Sequence, residues 1–184
     1  MKKGFSVRTI VAIGIGAALF FVLARFVSVP SPVPNTNICT QYGLLAFMAA
    51  VFGPVAGLLI GFIGHWLTDL SAGWGVWWSW VIASGVFGLL TGIAAKKIDL
   101  DDGEFGKKEL LRFNVAQAIA HIVSWIVVAP VLDILIYAEP VNKVFLQGTV
   151  AAAVNIVTTA IIGSLLCFAY AKAKPKKDSL KKEQ

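Results

Sequence analysis

The sequence predicts an all-α fold, that of a polytopic integral membrane protein with six transmembrane helices and both termini on the cytoplasmic side. Hydrophobic residues make up 58% of the 184 residues and charged residues only 14%, whereas soluble domains are about 45–50% apolar. Apolar stretches near the length that crosses a hydrocarbon layer of about 30 Å recur along most of the chain. Basic residues collect at the ends of these stretches, which is the charge pattern of a membrane protein.

The first helix is predicted over about 8–28. It ends at VPSPVPNTN, residues 29–37, because the three prolines cannot continue a helix. The lysines and the apolar run at the start of the chain resemble a secretory signal, but no small-x-small cleavage site follows them. The segment is therefore interpreted as a retained first helix.

The next apolar stretch, 42–68, is too long for one untilted span and contains the turn signal FGPVAG at 52–57. We therefore divide it into two shorter helices. The six spans together are interpreted as one membrane domain over 1–172, followed by a basic cytoplasmic tail at 173–184. The predicted spans are about 8–28, 42–52, 55–69, 77–95, 113–132 and 146–171.

The distribution of lysine and arginine predicts the orientation. Of the sixteen basic residues, all but Arg25 and Lys143 lie in the N-terminal tail up to Arg8, in the loop at 96–112 or in the tail from Lys172. An even number of predicted helices precedes each of these segments, so all three lie on the cytoplasmic side. Orientation therefore accounts for the net charge of +6, and no nucleic-acid partner is expected.

Polar side chains concentrate in the predicted outer half of the membrane. A central charge costs roughly 2.5–3.5 kcal/mol on insertion scales, so each such residue invites a functional hypothesis. His65 and Asp69 share a helix face, and His121 and Trp125 belong to a polar stripe on the fifth predicted helix. Alternatively, His65 and Asp69 only satisfy each other, and Asn155 only joins two helices. Asn35 and Gln147 lie nearby, and the candidate substrate-binding residues are Asn37, Gln41, Tyr42, His65, Asp69, Trp77, Trp78, His121, Trp125 and Asn155.

Five of the six tryptophans lie within GHWLTDLSAGWGVWWSW at 64–80. Indole rings concentrate at membrane interfaces, so interfacial anchoring is one interpretation. Trp77, Trp78 and Trp80 cannot all face lipid, however, because successive helical residues are about 100° apart. An aromatic wall beside amide and imidazole groups suits a flat, polar heteroaromatic ligand that is stacked on its faces and hydrogen-bonded at its rim.

Motifs of catalysis do not accompany these residues in the sequence. It contains no HExxH, no GxSxG and no Walker-type phosphate loop. Cys39 and Cys167 lack metal-ligand spacing and lie near opposite ends of predicted spans, which disfavours a disulfide. A metal at His65, Asp69 and His121 is a minor alternative. We expect no cofactor, no metal and no enzymatic activity.

The first helix carries a second signal. VAIGIGAALFF places Ala12 four residues before Gly16, and Gly14 four residues before Ala18. Small residues at this spacing let the backbone of another helix approach closely. Either pair packs inside the domain or forms a smooth face on which a separate membrane partner docks.

These features resemble the S component, the substrate-binding subunit, of energy-coupling factor (ECF) vitamin transporters. IGHWLTD, GVWWSWVIASGVFGLLTG, VAIGIGAALFFVLARF and PNTN are similar to the riboflavin-transporter-like S-component family. The resemblance covers residues 5–170, and WWSWVIASG is its most specific segment.

The resemblance implies a subunit in the cell membrane of a prokaryote that binds a vitamin or vitamin precursor from outside and topples to deliver it. Its partners would be a transmembrane coupling protein (EcfT) and two ABC ATPases (EcfA and EcfA′), which hydrolyse ATP. In that family an A-x-x-x-A motif on the first helix contacts the coupling protein. Here glycine replaces one alanine in either register, Ala12 with Gly16 or Gly14 with Ala18.

The resemblance also bears on the ligand. Members of this subgroup are associated with hydroxymethylpyrimidine, a thiamine precursor, and with pyridoxine-like compounds, whereas wider relatives handle riboflavin or cobalamin. A small aminopyrimidine or pyridine suits the stacking and amide groups, with His65, Asp69 and Asn37 as the preferred rim contacts. Riboflavin and cobalamin remain alternatives.

Two other classes stay open. A stand-alone proton-coupled secondary transporter would use Asp69 or His121 as its proton site and would need no partner. It would carry inverted repeats and interrupted helices, but the two halves of this chain are only weakly similar. A membrane enzyme is the third class, in which substitution of His65, Asp69 and His121 would abolish turnover rather than ligand affinity.

Overall fold

The computed structural model describes residues 6–34, 36–98, 100, 103 and 105–174. It has the predicted all-α architecture, to which a short hairpin is added between the first two helices. In the hairpin, β1 (Val29–Pro30) pairs antiparallel with β2 (Asn37–Ile38). The helices are α1 (Val7–Phe26), α2 (Gln41–Phe52), α3 (Pro54–Ala72), α4 (Trp78–Ala95), α5 (Lys107–Ile122), a π-helix (Val123–Val128), α6 (Ala129–Tyr137) and α7 (Val141–Ala173).

α5, the π-helix and α6 form one continuous rod over Lys107–Tyr137. The fifth and sixth helical segments are therefore longer than the predicted 113–132 and 146–171. α5 begins within the charged segment KKELLR, which a search for apolar runs does not mark. The Gly106 N–H donates to the Glu109 carboxylate at 3.2 Å and so caps this start.

Local signals explain the other helix boundaries. The Ser6 hydroxyl accepts from the Thr9 N–H at 3.1 Å and caps α1. Gly53, with a φ of 89°, separates α2 from α3, and Pro54 occupies the first turn of α3, where its missing N–H is not needed. α3 ends at Gly73, whose φ of 82° favours glycine. The predicted division within 42–68 therefore falls at FGPVAG.

Much of the outer surface of the bundle is apolar. Leu135, Leu165 and Ile15 are 75%, 63% and 56% exposed, a pattern that suits lipid rather than water. α2 is apolar but has only 12 residues. Within the described part of the chain, the helical segments long and apolar enough to cross a membrane are Val7–Phe26, Pro54–Ala72, Trp78–Ala95, Lys107–Tyr137 and Val141–Ala173. The chain is a multi-pass membrane protein.

α3 and α4 pack through their backbones. A Cβ at Gly57 would lie 2.4 Å from the Gly88 carbonyl oxygen, and one at Gly61 would lie 2.4 Å from the Ser84 carbonyl oxygen. Side chains larger than hydrogen would therefore separate the two helices. This close contact brings Ser84 of α4 against the face of α3 that carries His65.

The two small-residue pairs of α1 differ in their surroundings. Ala12 and Gly16 are buried, and a Cβ at Gly16 would lie 2.8 Å from Ile60. Gly14 and Ala18 are exposed, and a Cβ at Gly14 would meet no atom within 4 Å. The first pair therefore packs inside the domain, and the second pair lies on its surface.

The hairpin lies at one end of the bundle, which we call the hairpin end. Gln147, in the first turns of α7, donates to the Pro34 carbonyl oxygen at 2.9 Å. At the same end, the Trp77 N–H donates to Asp69 near the end of α3, and the Trp77 indole donates to Asp133 on α6. Of the predicted tail at 173–184, all but the first two residues lie outside the described part of the chain.

Candidate ligand-binding site

A cavity of about 410 Å³ lies at the hairpin end. This volume is near the lower end of the range of about 300–1,000 Å³ that small-molecule sites occupy. Its lining comes from α1, the hairpin segment, α2, α3, the start of α4, the π-helix, α6 and α7. Residues far apart in the sequence therefore meet around one hollow.

Most of the predicted substrate-binding residues line this cavity. Trp78 and His121 do not. Asn35 lies outside the described residues, whereas Gln147 lines the cavity. The predicted residues in the lining are Asn37, Gln41, Tyr42, His65, Asp69, Trp77, Trp125 and Asn155.

Trp78 lies on the outside of the bundle. Its side chain is 43% exposed and packs against the ring of Phe62 at a centroid distance of 6.2 Å. Its backbone N–H donates to the Tyr137 hydroxyl at 2.9 Å. The Trp78 side chain therefore faces outward, which is compatible with interfacial anchoring, the alternative interpretation of the tryptophans.

His121 lies beneath the cavity wall. It is fully buried and stacks on Phe87 at 4.0 Å. Its Nδ1 accepts from the Trp125 indole at 2.9 Å, so in the neutral ring Nε2 carries the proton and donates to the Thr159 hydroxyl at 3.0 Å. His121 orients Trp125, which does line the cavity.

Aromatic rings form one wall of the cavity. Trp80 and Trp125 lie 5.2 Å apart between ring centroids, and Tyr42 meets Trp125 edge-on at 5.2 Å. Trp77 is stacked on Tyr137 at 4.3 Å. Rings held against one another in this way offer a rigid surface on which a flat ligand can stack.

Asp133 organises the tryptophans of this wall. It is 1% exposed, and its Oδ1 accepts from the Trp77 indole at 2.7 Å and from the Ser79 hydroxyl. Its Oδ2 accepts from the Trp80 indole at 2.9 Å. Three donors from the start of α4 thus converge on one carboxylate of α6.

Asp133 is absent from the predicted site residues. The predicted fifth span ends at 132, one residue before it, whereas the structure places Asp133 inside an apolar helix, where an acid is costly. The run APVLDILIY carries that signal. Trp80, Arg25, Glu139 and Lys143 also line the cavity without having been chosen as site residues.

Asp69 has a different environment. It is 4% exposed, and its Oδ2 accepts from the Trp77 backbone N–H at 2.9 Å. Its Oδ1 lies 3.7 Å from His65 Nε2, which is too long for a hydrogen bond. His65 Nδ1 instead lies 2.6 Å from the Ser84 hydroxyl, which is 3.0 Å from the Tyr42 hydroxyl. The alternative in which His65 and Asp69 only satisfy each other thus has a close approach but no hydrogen bond behind it.

Two amide side chains of the lining have unused oxygen atoms. Gln41 and Asn155 are 5% and 2% exposed, and neither Gln41 Oε1 nor Asn155 Oδ1 has a hydrogen-bond partner among the described residues. Buried polar atoms normally have a partner. Both residues line the cavity, so a ligand that donates hydrogen bonds would satisfy them.

Charged groups at the mouth of the cavity are more exposed. The Lys143 ammonium donates to the Glu139 carboxylate at 2.6 Å, and Arg25 is exposed at the end of α1. Among the residues that the structure describes, no group of three His, Cys, Asp or Glu side chains is suited to hold a metal. His121 instead has Trp125 and Thr159 as its partners.

Cys39 follows the hairpin and lines the cavity. Its thiol donates to the Asn37 carbonyl oxygen at 3.3 Å. Burial raises the pKa of the Cys39 thiol from 9.0 to about 11, against a smaller lowering by a hydrogen bond with Gln41. Cys39 and Cys167 are both free thiols.

Comparisons with known proteins bear on this site. A model of the family described as "ECF-type riboflavin transporter, S component" matches residues 4–172. A UPF0397 protein of Enterococcus faecalis (strain ATCC 700802 / V583) is 54% identical over 183 residues, covering 100% of both chains. A UPF0397 protein of Staphylococcus aureus (strain MSSA476) is 50% identical over 182 residues, covering 99% of both chains.

The fold has a counterpart among solved structures. The crystal structure of FolT bound with folic acid matches with a TM-score of 0.64, covering 86% of this chain and 94% of that chain. The sequence identity is 14%, so this likeness concerns the fold alone. Together with the family match, it confirms the resemblance seen in the sequence. The chain belongs to the family of ECF-type riboflavin transporter S components, which are transport subunits and not enzymes.

Proposed function

We propose that this chain binds a vitamin or vitamin precursor with a small nitrogen heterocycle, hydroxymethylpyrimidine or pyridoxine, and delivers it to an ATP-driven ECF module. The observation that carries the proposal is the cavity of about 410 Å³ at the hairpin end, with indole rings on one wall and unpartnered amide oxygens beside them. The indole rings can stack on the flat face of such a ligand, and the amide oxygens can accept hydrogen bonds from its polar edge.

The size of the cavity supports a ligand of one or two rings. A compact heterocycle leaves few gaps in a hollow near the lower end of the usual range, whereas a corrinoid is far larger than this hollow. The FolT structure was solved with folic acid, and the family description names riboflavin. Riboflavin is therefore the second candidate ligand.

The charge pattern supports capture from outside the cell. The hairpin end is opposite to the ends of α4 and α7 that adjoin the lysine-rich segments, and such segments remain in the cytoplasm. The hairpin end then faces the exterior of a prokaryotic cell membrane, where a scarce nutrient is collected. No Walker-type loop occurs in the sequence, so we assign ATP hydrolysis to separate ATPase subunits, EcfA and EcfA′.

The exposed pair on α1, Gly14 and Ala18, is the proposed contact with the transmembrane coupling protein EcfT. Ala12 and Gly16 already pack inside the domain. Gly14 and Ala18 leave a smooth strip of helix on which a second helix can lie and slide. This choice of register supports docking and toppling without a change in the core.

Equilibrium binding on the purified full-length chain tests the ligand. The panel holds hydroxymethylpyrimidine, pyridoxine, riboflavin and cobalamin, and quenching of tryptophan fluorescence reports binding because indoles line the cavity. We expect a small heterocycle to bind with the lowest Kd. An exclusive response to cobalamin would contradict the small-ring proposal.

Uptake into proteoliposomes separates the S component from a stand-alone transporter. With EcfT and both ATPases present, uptake of the bound vitamin should require ATP, and this chain alone should bind but not accumulate it. Undiminished uptake by this chain alone without ATP would favour the proton-coupled alternative, in which Asp69 or His121 carries the proton.

A matched pair of substitutions tests the docking face. Gly14→Leu places bulk where nothing lies within 4 Å, so folding and ligand affinity should be unchanged while co-purification with EcfT falls more than about 10-fold. Ala153→Leu makes the same kind of change at another exposed helical position and should leave the complex intact. An equal effect of both variants, or no effect of Gly14→Leu, would remove this face from the interface.

A further inference from the structure

The lining of the cavity includes two buried carboxylates. Asp69 and Asp133 are 4% and 1% exposed, and both line the cavity. None of the buried polar or charged residues in the described part of the chain is a lysine or arginine. Buried charges are normally paired or fully hydrogen-bonded, because an isolated charge in a medium of low polarity is costly.

Asp133 meets this requirement with hydrogen bonds alone. Its two oxygens share three donors, the Trp77 and Trp80 indoles and the Ser79 hydroxyl. Both oxygens of Asp133 are therefore occupied by donors of the protein, although its negative charge remains.

Asp69 does not meet it. Its Oδ2 has the Trp77 N–H as a donor, but Oδ1 has no hydrogen-bond donor among the described residues, and its nearest cationic candidate, His65 Nε2, is 3.7 Å away. Tyr42 can donate to Ser84, and Ser84 to His65 Nδ1, which satisfies this chain with a neutral imidazole. In this state Nε2 carries the proton of an uncharged ring and lies 3.7 Å from Asp69 Oδ1. No lysine or arginine of the described residues lies within 4 Å of Asp69, so its charge lacks a counter-ion.

Independent observations point to a donor-bearing ligand at the same place. Gln41 Oε1 and Asn155 Oδ1 are buried acceptors without partners among the described residues, and both belong to the cavity lining. Indole faces attract cations, and Trp80 and Trp125 lie on the adjoining wall. Three acceptors and an aromatic wall thus surround one space.

We propose that the cavity binds its heterocycle through a positively charged nitrogen that pairs with Asp69, so that the ligand supplies the missing counter-ion. A protonated aminopyrimidine or a ring that carries an ammonium group has this chemistry. The inference rests on the proposed function and adds the charge class of the ligand and the residue that selects it.

Two pairs of probes measure this preference on the purified full-length chain in lipid nanodiscs. Pyridoxamine carries an ammonium where pyridoxine carries a hydroxyl, and 4-amino-5-hydroxymethyl-2-methylpyrimidine has an amino group where its 4-oxo counterpart has a carbonyl. Hydrogen bonds to a charged partner predict a Kd about 10- to 100-fold lower for the amino member of at least one pair. This ratio of Kd values is measured on the unmodified chain, so the test of the charge preference does not depend on whether a variant folds.

Variants then assign the preference to Asp69. Asp69→Asn keeps an oxygen that can accept from the Trp77 N–H and should bring the ratio of Kd values close to one. Glu109→Gln removes a charge at the opposite end of the bundle, where Glu109 caps the start of α5, and should leave the ratio unchanged. If Asp69→Asn weakened the binding of both members of a pair by the same factor, the inference would be contradicted.

The possible failures are distinguishable. Binding of both members of each pair with equal affinity would overturn the charge inference and leave the proposed function standing. Binding of riboflavin with none of the four probes would overturn the small-ring function and this inference together. Preference for pyridoxine and for the 4-oxo pyrimidine would show that Asp69 does not pair with a positive charge of the ligand, and it would also overturn the inference.

Discussion

The two carboxylates of the cavity differ in what they leave unused. On the α6 side, Asp133 is saturated by donors of the protein, and it holds Trp77 and Trp80 in place. On the α3 side, Asp69 accepts one backbone N–H and has a free oxygen beside the hollow. Residues of the same type and similar burial therefore differ in their contacts, since one holds the aromatic wall together and the other keeps an oxygen without a donor beside the cavity.

Loss of Asp133 should have the largest effect on folding. Asp133→Ala removes the acceptor of three hydrogen bonds, and groups left unsatisfied cost about 1–3 kcal/mol each, so we expect a loss of about 3 kcal/mol or more. Asp69→Ala breaks one hydrogen bond and should cost about 1 kcal/mol. Thermal unfolding of both variants in the same nanodiscs measures the difference.

A third variant, Asp133→Asn, is the control for this comparison. Asp133→Asn keeps the shape and one acceptor, so its stability should fall between the unmodified chain and Asp133→Ala. If Asp69→Ala destabilised the fold as much as Asp133→Ala, the two sides would not differ as described.

Removal of a single donor to Asp133 should have a smaller effect. Trp80→Phe keeps an aromatic ring but deletes the indole N–H that reaches Asp133 Oδ2, and we expect a loss of about 1–2 kcal/mol in stability. Trp74 is 69% exposed, so Trp74→Phe should change stability by less than about 0.5 kcal/mol. Equal unfolding temperatures for the two variants would argue against a structural role for the Trp80 indole.

The rate at which the Cys39 thiol is alkylated reports on the hairpin side of the cavity, and we expect no change in stability. Because burial raises the pKa of its thiol to about 11, the reactive thiolate is scarce near neutral pH, and alkylation should be about 100-fold slower than for a thiol with the ordinary value. The rate in a Cys167→Ser chain should keep rising with pH up to about 11, and bound vitamin should slow it further. A rate that levels off near pH 9 would show an exposed thiol.

The sequence predicted the helices and much of the site for a physical reason. Apolar length, prolines and basic segments are local signals, and they marked the helices and the break at Gly53. Polar residues inside apolar runs marked His65, Asp69 and Asn155, because their insertion is costly. The chosen set fell largely around one cavity since these residues lie toward the same end of the bundle.

What the sequence did not predict depends on contacts between distant segments. The direction of Trp78 toward Phe62 and of Trp80 toward Asp133 follows from how α4 packs on α3 and α6, which periodicity alone does not define. The π-helix at Val123–Val128 was not predicted either, although Pro130, which cannot donate a helical hydrogen bond, follows it. Likewise, only packing distinguishes the buried pair Ala12 and Gly16 from the exposed pair Gly14 and Ala18.

A structure of the chain with bound hydroxymethylpyrimidine would show directly whether the ligand pairs with Asp69. We expect the ring inside the cavity at the hairpin end, against Trp80 and Trp125, with its amino group or protonated nitrogen within hydrogen-bond distance of Asp69 Oδ1. A ring bound elsewhere, or one that turns only carbon or acceptor atoms toward Asp69, would contradict it.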